Sequence, residues 1–100
     1  MKPTTKQRAA ELLAWAVGLA EKQGWHSLTH ESIAAAAEVS PSLVKVRLGT
    51  IVDVRRAVMR EAVKQRLPRV VAEGLCARDR TARRADAALR AACGEWVARA

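Results

Sequence analysis

Apolar positions recur along the chain at three- and four-residue spacing, and residues that start or stop helices interrupt them at short intervals. Leu12, Ala16, Leu19 and Ala20 fall on one stripe, which predicts a first helix capped by Thr4 or Thr5 and ended by Gly24. Thr29 predicts the start of a second helix over 29–37, buried through Ile33, Ala34 and Ala37, with Ser32 where a capping box prefers Glu or Gln. Ser40-Pro41 is a Ser cap followed by Pro at the first helical position, predicting a third helix from Pro41 to Leu48 that stops at Gly49. Thr50 and Asp53 have capping-box spacing, and Val54, Ala57, Val58 and Ala62 continue a fourth helix up to Leu67-Pro68. Two more helices are predicted, about 69–77 and from Asp79 or Thr81 to Val97. No strand, linker or repeat appears. The pattern predicts an all-α fold: one domain over 1–100, a small bundle of five to six helices divided into regions 4–66 and 67–100.

Composition sharpens this picture. Half of the 100 residues are apolar, but Ala dominates them and there is no Phe or Tyr, so short helices must pack closely. The β-branched and aromatic residues that strands favour are too scarce for a sandwich or barrel. Gly18, inside the first helix, predicts a close helix crossing. Trp15, Trp25 and Trp96 are expected in the core or an interface, with Trp25 plugging the junction of the first two helices. No run of about 18 apolar residues exists, so no membrane partner is expected. Met1-Lys2-Pro3 leads into a charged amphipathic segment, which predicts no signal peptide. Cys76 and Cys93 read as small buried thiols of a cytoplasmic protein.

The same residues speak against catalysis. There is no Ser/His/acid order with a nucleophile turn, no Gly-rich phosphate loop and no recognisable carboxylate pair. His26 and His30 have the spacing of two metal ligands, but Thr29 interrupts the helix and no third ligand is near. The expectation is a non-enzyme with no metal and no cofactor.

The chemistry concentrates at 29–50. Two short helices separated by Glu38-Val39-Ser40 form a helix-turn-helix, a unit that presents the N-terminal half of its second helix to a DNA major groove. Val44 and Leu48 are expected to face the core, leaving Pro41, Ser42 and Lys45 outward. Ser42 can hydrogen-bond a base edge, Lys45 can reach guanine or a phosphate, and Leu43 and Val46 can touch a thymine methyl. Thr29, His30, Ser40, Arg47 and Thr50 are expected to position the backbone: Arg47 and His30 as phosphate donors, Thr29 and Thr50 through free helix-opening N–H groups. Lys2 and Lys6 are expected to form a flexible arm adding further contacts.

The residues Arg8, Leu12-Leu13, Ala16, Leu19, Gly24-Trp25, Thr29, Ile33-Ala34, Ala37, Val39-Ser40, Val44, Leu48-Gly49-Thr50 and Val54 resemble, without a gap, the DNA-binding region of the tetracycline-repressor (TetR) family. The resemblance covers about half the chain, roughly Lys6 to Val58. It implies that 41–48 is the recognition helix and that the protein binds double-stranded operator DNA as a homodimer, as a transcriptional repressor. Three positions depart from the family pattern. Glu38 stands where Gly is usual, Val44-Lys45 replaces a Leu-Tyr pair, and Ile51 replaces a Lys. The family normally continues into a large helical domain that binds an inducer and dimerises. Here about forty residues follow Val58, so no small-molecule effector is expected. Dimerisation is expected along the stripe of Leu75, Ala82, Ala85, Leu89, Ala92 and Trp96.

Charge qualifies the DNA expectation. The formal net charge is +8, but residues 1–50 carry six Lys/Arg and four acids, and residues 51–100 carry twelve and six. Most of the excess therefore lies outside the helix-turn-helix, and Arg78, Arg80, Arg83 and Arg84 read either as a solvated face or as a second phosphate-contacting patch. Two alternatives stay open: a protein-interaction module that docks a host or regulatory protein, and a nonspecific nucleic-acid binder.

Overall fold

Most of the internal helix boundaries have a chemical cause that can be traced to one or two residues. The computed structural model describes residues 5–99, and all regular structure there is helical: α1 (Thr5–Gln23), α2 (His30–Ala37), α3 (Pro41–Leu48), α4 (Ile51–Gln65), α5 (Pro68–Cys76), α6 (Arg80–Arg83) and α7 (Ala87–Arg99), with a 3-10 turn at Trp25–Ser27. Thr5 and Lys6 already belong to α1, so Lys6 is helical and not part of an arm. Lys2 and Thr4 lie outside the described residues. Pro68 does more than break α4, because it occupies the first turn of α5.

The expected final helix is two helices. Asp79 caps α6 by accepting the Ala82 amide at 3.0 Å, and Asp86 caps α7 by accepting the Leu89 amide at 2.8 Å. The break between them turns Ala82 and Leu89 into one core, where both are buried. Arg66 fixes the bend: its guanidinium donates to Asp86 Oδ2 at 2.6 Å and Oδ1 at 3.4 Å, joining the end of α4 to the start of α7. That fork, first, and the Leu89 amide hold the Asp86 carboxyl below its ordinary range.

Packing follows the capped ends. α1 lies against α2, α3 and α4, α5 packs on α7, and α6 is held by α4 and α5. The core runs through Leu12, Ala16, Val17 and Ala20 of α1, Ile33 of α2, Val44 of α3, Val54, Val58 and Met59 of α4, and Val70 and Val71 of α5. Gly74 is the close approach: a Cβ there would lie 2.5 Å from Met59 Cε and 2.8 Å from Ala82 Cβ. Gly18, expected to permit a helix crossing, has nothing within 4 Å of an added Cβ, so no neighbour requires it.

The predicted dimer stripe is largely internal. Ala82, Ala85 and Leu89 are buried in this chain's own core and Leu75 packs against it, because α7 folds back on α5. Only Ala92 and Trp96 of the stripe remain exposed. Of the tryptophans, Trp25 alone is in the core. Trp15 is 52% exposed, and Trp96 is exposed under the Arg69 guanidinium, 6.0 Å above its ring. Cys93 is a buried thiol whose pKa burial raises, while Cys76 is exposed.

Trp25 plugs the α1–α2 junction as its sequence position suggested. Its indole N–H donates to the Arg55 carbonyl at 2.9 Å, and its backbone N–H donates to Glu73 Oε2 at 2.8 Å. The same carboxylate oxygen accepts the His26 amide at 3.3 Å. Glu73 of α5 therefore holds the turn from which α2 departs.

Candidate nucleic-acid interface

The α2–α3 pair is organised from its ends. Thr29 Oγ1 accepts the Ser32 amide at 3.0 Å, and Ser32 Oγ accepts the Thr29 amide at 3.1 Å. Ser32 thus completes a capping box, in the place where Glu or Gln is more usual. α2 ends on Glu38 in the left-handed region, φ 57°, and the Val39 amide returns to the Ala34 carbonyl at 3.0 Å. Glycine adopts that backbone freely, whereas a residue with a Cβ is destabilised there by about 1–2 kcal/mol. α3 then starts on Ser40, whose Oγ accepts the Leu43 amide at 3.2 Å, with Pro41 in its first turn. It stops at Gly49, φ 90°.

One long-range bond ties these ends together. His30 Nε2 lies 2.8 Å from the Gly49 carbonyl oxygen. A carbonyl can only accept, so this nitrogen carries the proton. The start of α2 is thereby fixed to the end of α3. The bond engages one ring nitrogen of His30, expected as a phosphate donor, within the chain.

The helix-opening amides are also engaged. Thr50 donates its amide to Asp53 Oδ2 at 3.0 Å, and Thr50 Oγ1 accepts the Asp53 amide at 3.2 Å. These bonds to Thr50, backbone first, with a smaller contribution from Arg56, hold the Asp53 carboxyl below its ordinary value. The amides of Thr29 and Thr50 are therefore not free phosphate sites. Their capping partners close on them, and at Thr50 that partner is itself an anion.

What α3 leaves open is its outward face. Val44 is its one fully buried residue, and Leu43 and Leu48 are half-buried. Pro41, Ser42, Lys45 and Val46 are exposed. Val46 is 71% exposed, more than any other large apolar side chain among the described residues. Arg47 is half-buried, and its Nε is shut off from solvent without a partner, which leaves the Nη end as the edge available to a ligand. Thr29, Ser40 and Thr50 are exposed caps. Of the ten candidates, Pro41, Ser42, Lys45 and Val46 thus form one solvent-facing helix surface, and the remainder build or flank it.

One residue at this junction escaped the sequence reading. Val52, in the first turn of α4, is 50% exposed. Its signal was present, since an apolar residue there lies off the Val54, Val58 and Ala62 stripe.

No family model matches the chain, and no curated protein or solved structure matches it at a significant level. The described residues contain no helix long and apolar enough to cross a membrane. The class that fold and site define is an all-helical protein presenting a short, end-capped helix to solvent.

Proposed function

We propose that the protein is a sequence-specific, DNA-binding transcriptional regulator of the helix-turn-helix type, similar to the DNA-binding region of TetR repressors. The observation that carries this reading is the outward face of α3. A helix fixed at both ends, with Pro41, Ser42, Lys45 and Val46 exposed, offers a close backbone, a hydroxyl, a cation and a methyl-binding surface together. Those are the groups that distinguish base pairs in a major groove. Val46, 71% exposed, adds an apolar contact to that polar face, of the kind that touches a thymine methyl.

Lys45 reads a base edge, Arg47 holds a phosphate through Nη, and the caps at Thr29, Ser40 and Thr50 set the angle of approach. A homodimer on a two-fold-related operator remains part of the proposal. Its contact falls to Ala92 and Trp96, because the rest of the predicted stripe is internal. The repressor role in this proposal rests on the resemblance to TetR repressors.

Selection of bound duplexes from a random library tests the reading. The expected product is a recurrent site with two related half-sites. Lys45→Ala should weaken binding to that site by about 1–3 kcal/mol, and log K should fall with log salt at roughly −0.9 per neutralised phosphate. Equal affinity for scrambled duplexes would replace specific with nonspecific binding. A second reading, docking of another protein, is favoured by the exposure of two large apolar side chains, Val46 and Val52. It predicts no enrichment in the selection.

A further inference from the structure

The arginines after Ala77 occupy an arrangement that the sequence alone left open. Arg80, Arg83 and Arg84 stand within one turn of α6 and its cap, on the side opposite the buried Ala82. Arg78 precedes them in the left-handed region, φ 59°, where glycine is the unstrained residue. All four are exposed, and together they line one open concavity of about 470 Å³.

Among the described residues, neither the Arg8–Glu11 nor the Arg66–Asp86 ion pair involves the concavity. The neighbouring Asp79 uses its carboxylate to cap the Ala82 amide. Like charges four apart on a helix destabilise it, as do guanidiniums gathered about one space. The repulsion is relieved when an anion occupies that space. Guanidinium forks match phosphate oxygens in pairs, so the chemistry selects phosphate over a single point charge. A volume of about 470 Å³ exceeds what one phosphate fills and falls in the range of small-ligand sites.

We infer that Arg78, Arg80, Arg83 and Arg84 form a binding site for a compact polyphosphate, such as the triphosphate of a nucleotide. Four guanidiniums balance about the charge of a triphosphate chain, which favours a polyphosphate over a single phosphate. The site is separate from α3 and does not rest on the DNA-binding proposal. It also differs from the enclosed inducer pocket of a TetR effector domain, being open and lined by charge.

Isothermal titration of the full chain with inorganic triphosphate tests the inference. Saturable one-to-one binding is expected, with inorganic phosphate weaker by at least about tenfold. The exposed pair Arg80→Gln/Arg83→Gln should weaken triphosphate binding about tenfold or more, and Arg80→Lys/Arg83→Lys, which keeps the charge and loses the forks, several-fold. Lys22→Gln/Lys64→Gln removes the same charge elsewhere and should change it less than about twofold. Far-ultraviolet dichroism should show the same helicity in every variant. Equal losses in the Gln pairs, equal affinity for inorganic phosphate, or absence of saturation would overturn the assignment. So would Arg80→Gln/Arg83→Gln leaving triphosphate binding intact while lowering affinity for duplex DNA, which would give the arginines to a nucleic-acid backbone.

Discussion

α3 and α5 are close in length, and both begin with proline, yet they are held in opposite ways. α5 has no side-chain cap at Leu67 and buries Val70, Val71, Ala72 and Gly74. α3 fully buries only Val44 and is secured at its ends, by Ser40 at the start and by the His30–Gly49 bond at the finish. Packing consumes the surface of a helix. End-fixing leaves that surface free. The contrast explains how a small Ala-rich chain can hold a helix at its ends while leaving half of its residues exposed to a partner.

The contrast can be broken from either side. The largest effect is expected from Val44→Asp, which puts an unpaired charge at the one fully buried residue of α3 and should cost about 3–5 kcal/mol in urea unfolding. A loss below about 1 kcal/mol would mean that packing at Val44 does not hold α3. Gly74→Val attacks α5 where space is shortest, and overpacking against Met59 and Ala82 should destabilise by about 1–3 kcal/mol. An unchanged melting temperature would contradict the close approach. Ser40→Ala removes the cap and should cost about 1 kcal/mol, and under the proposed function it should also lower DNA affinity beyond the stability change.

The smallest effect is in acid. Asp53 and Asp86 both have carboxyls lowered by hydrogen bonds in the folded state. Their contribution is complete above the ordinary Asp value, about 3.9, and is lost as the pH falls below it through the folded-state values. Asp86→Asn should flatten the stability curve in that window, and an unaltered slope would detach Asp86 from Arg66.

Legibility in the sequence followed range. Thr29, Ser40-Pro41, Thr50 with Asp53, and Gly49 state their roles within four residues, and the structure places a helix boundary at each. The α6–α7 break was hidden because Asp86 sits among alanines and its partner Arg66 is twenty residues away. The bond of His30 to Gly49 was hidden for the same reason, its acceptor being nineteen residues distant. At Thr29 and Thr50 the local signal was complete, but a capping box that satisfies an amide also removes it from ligands. Ala82, Ala85 and Leu89 show a different limit. Periodicity identifies an apolar stripe, and only the fold decides whether it covers the chain's own core or another molecule.

Glu73 gives the seam after Arg66 its meaning. Its one carboxylate oxygen receives the amides of Trp25 and His26, at the turn that launches α2. A chain divided between Arg66 and Leu67 would strand those two donors and uncover Met59 beneath α5 and α6. The later helices are thus a splint for the earlier ones, setting the direction in which α2 and α3 leave α1. Shortening the protein to α1–α4 would keep every residue of the proposed reading surface and lose the angle at which it is held.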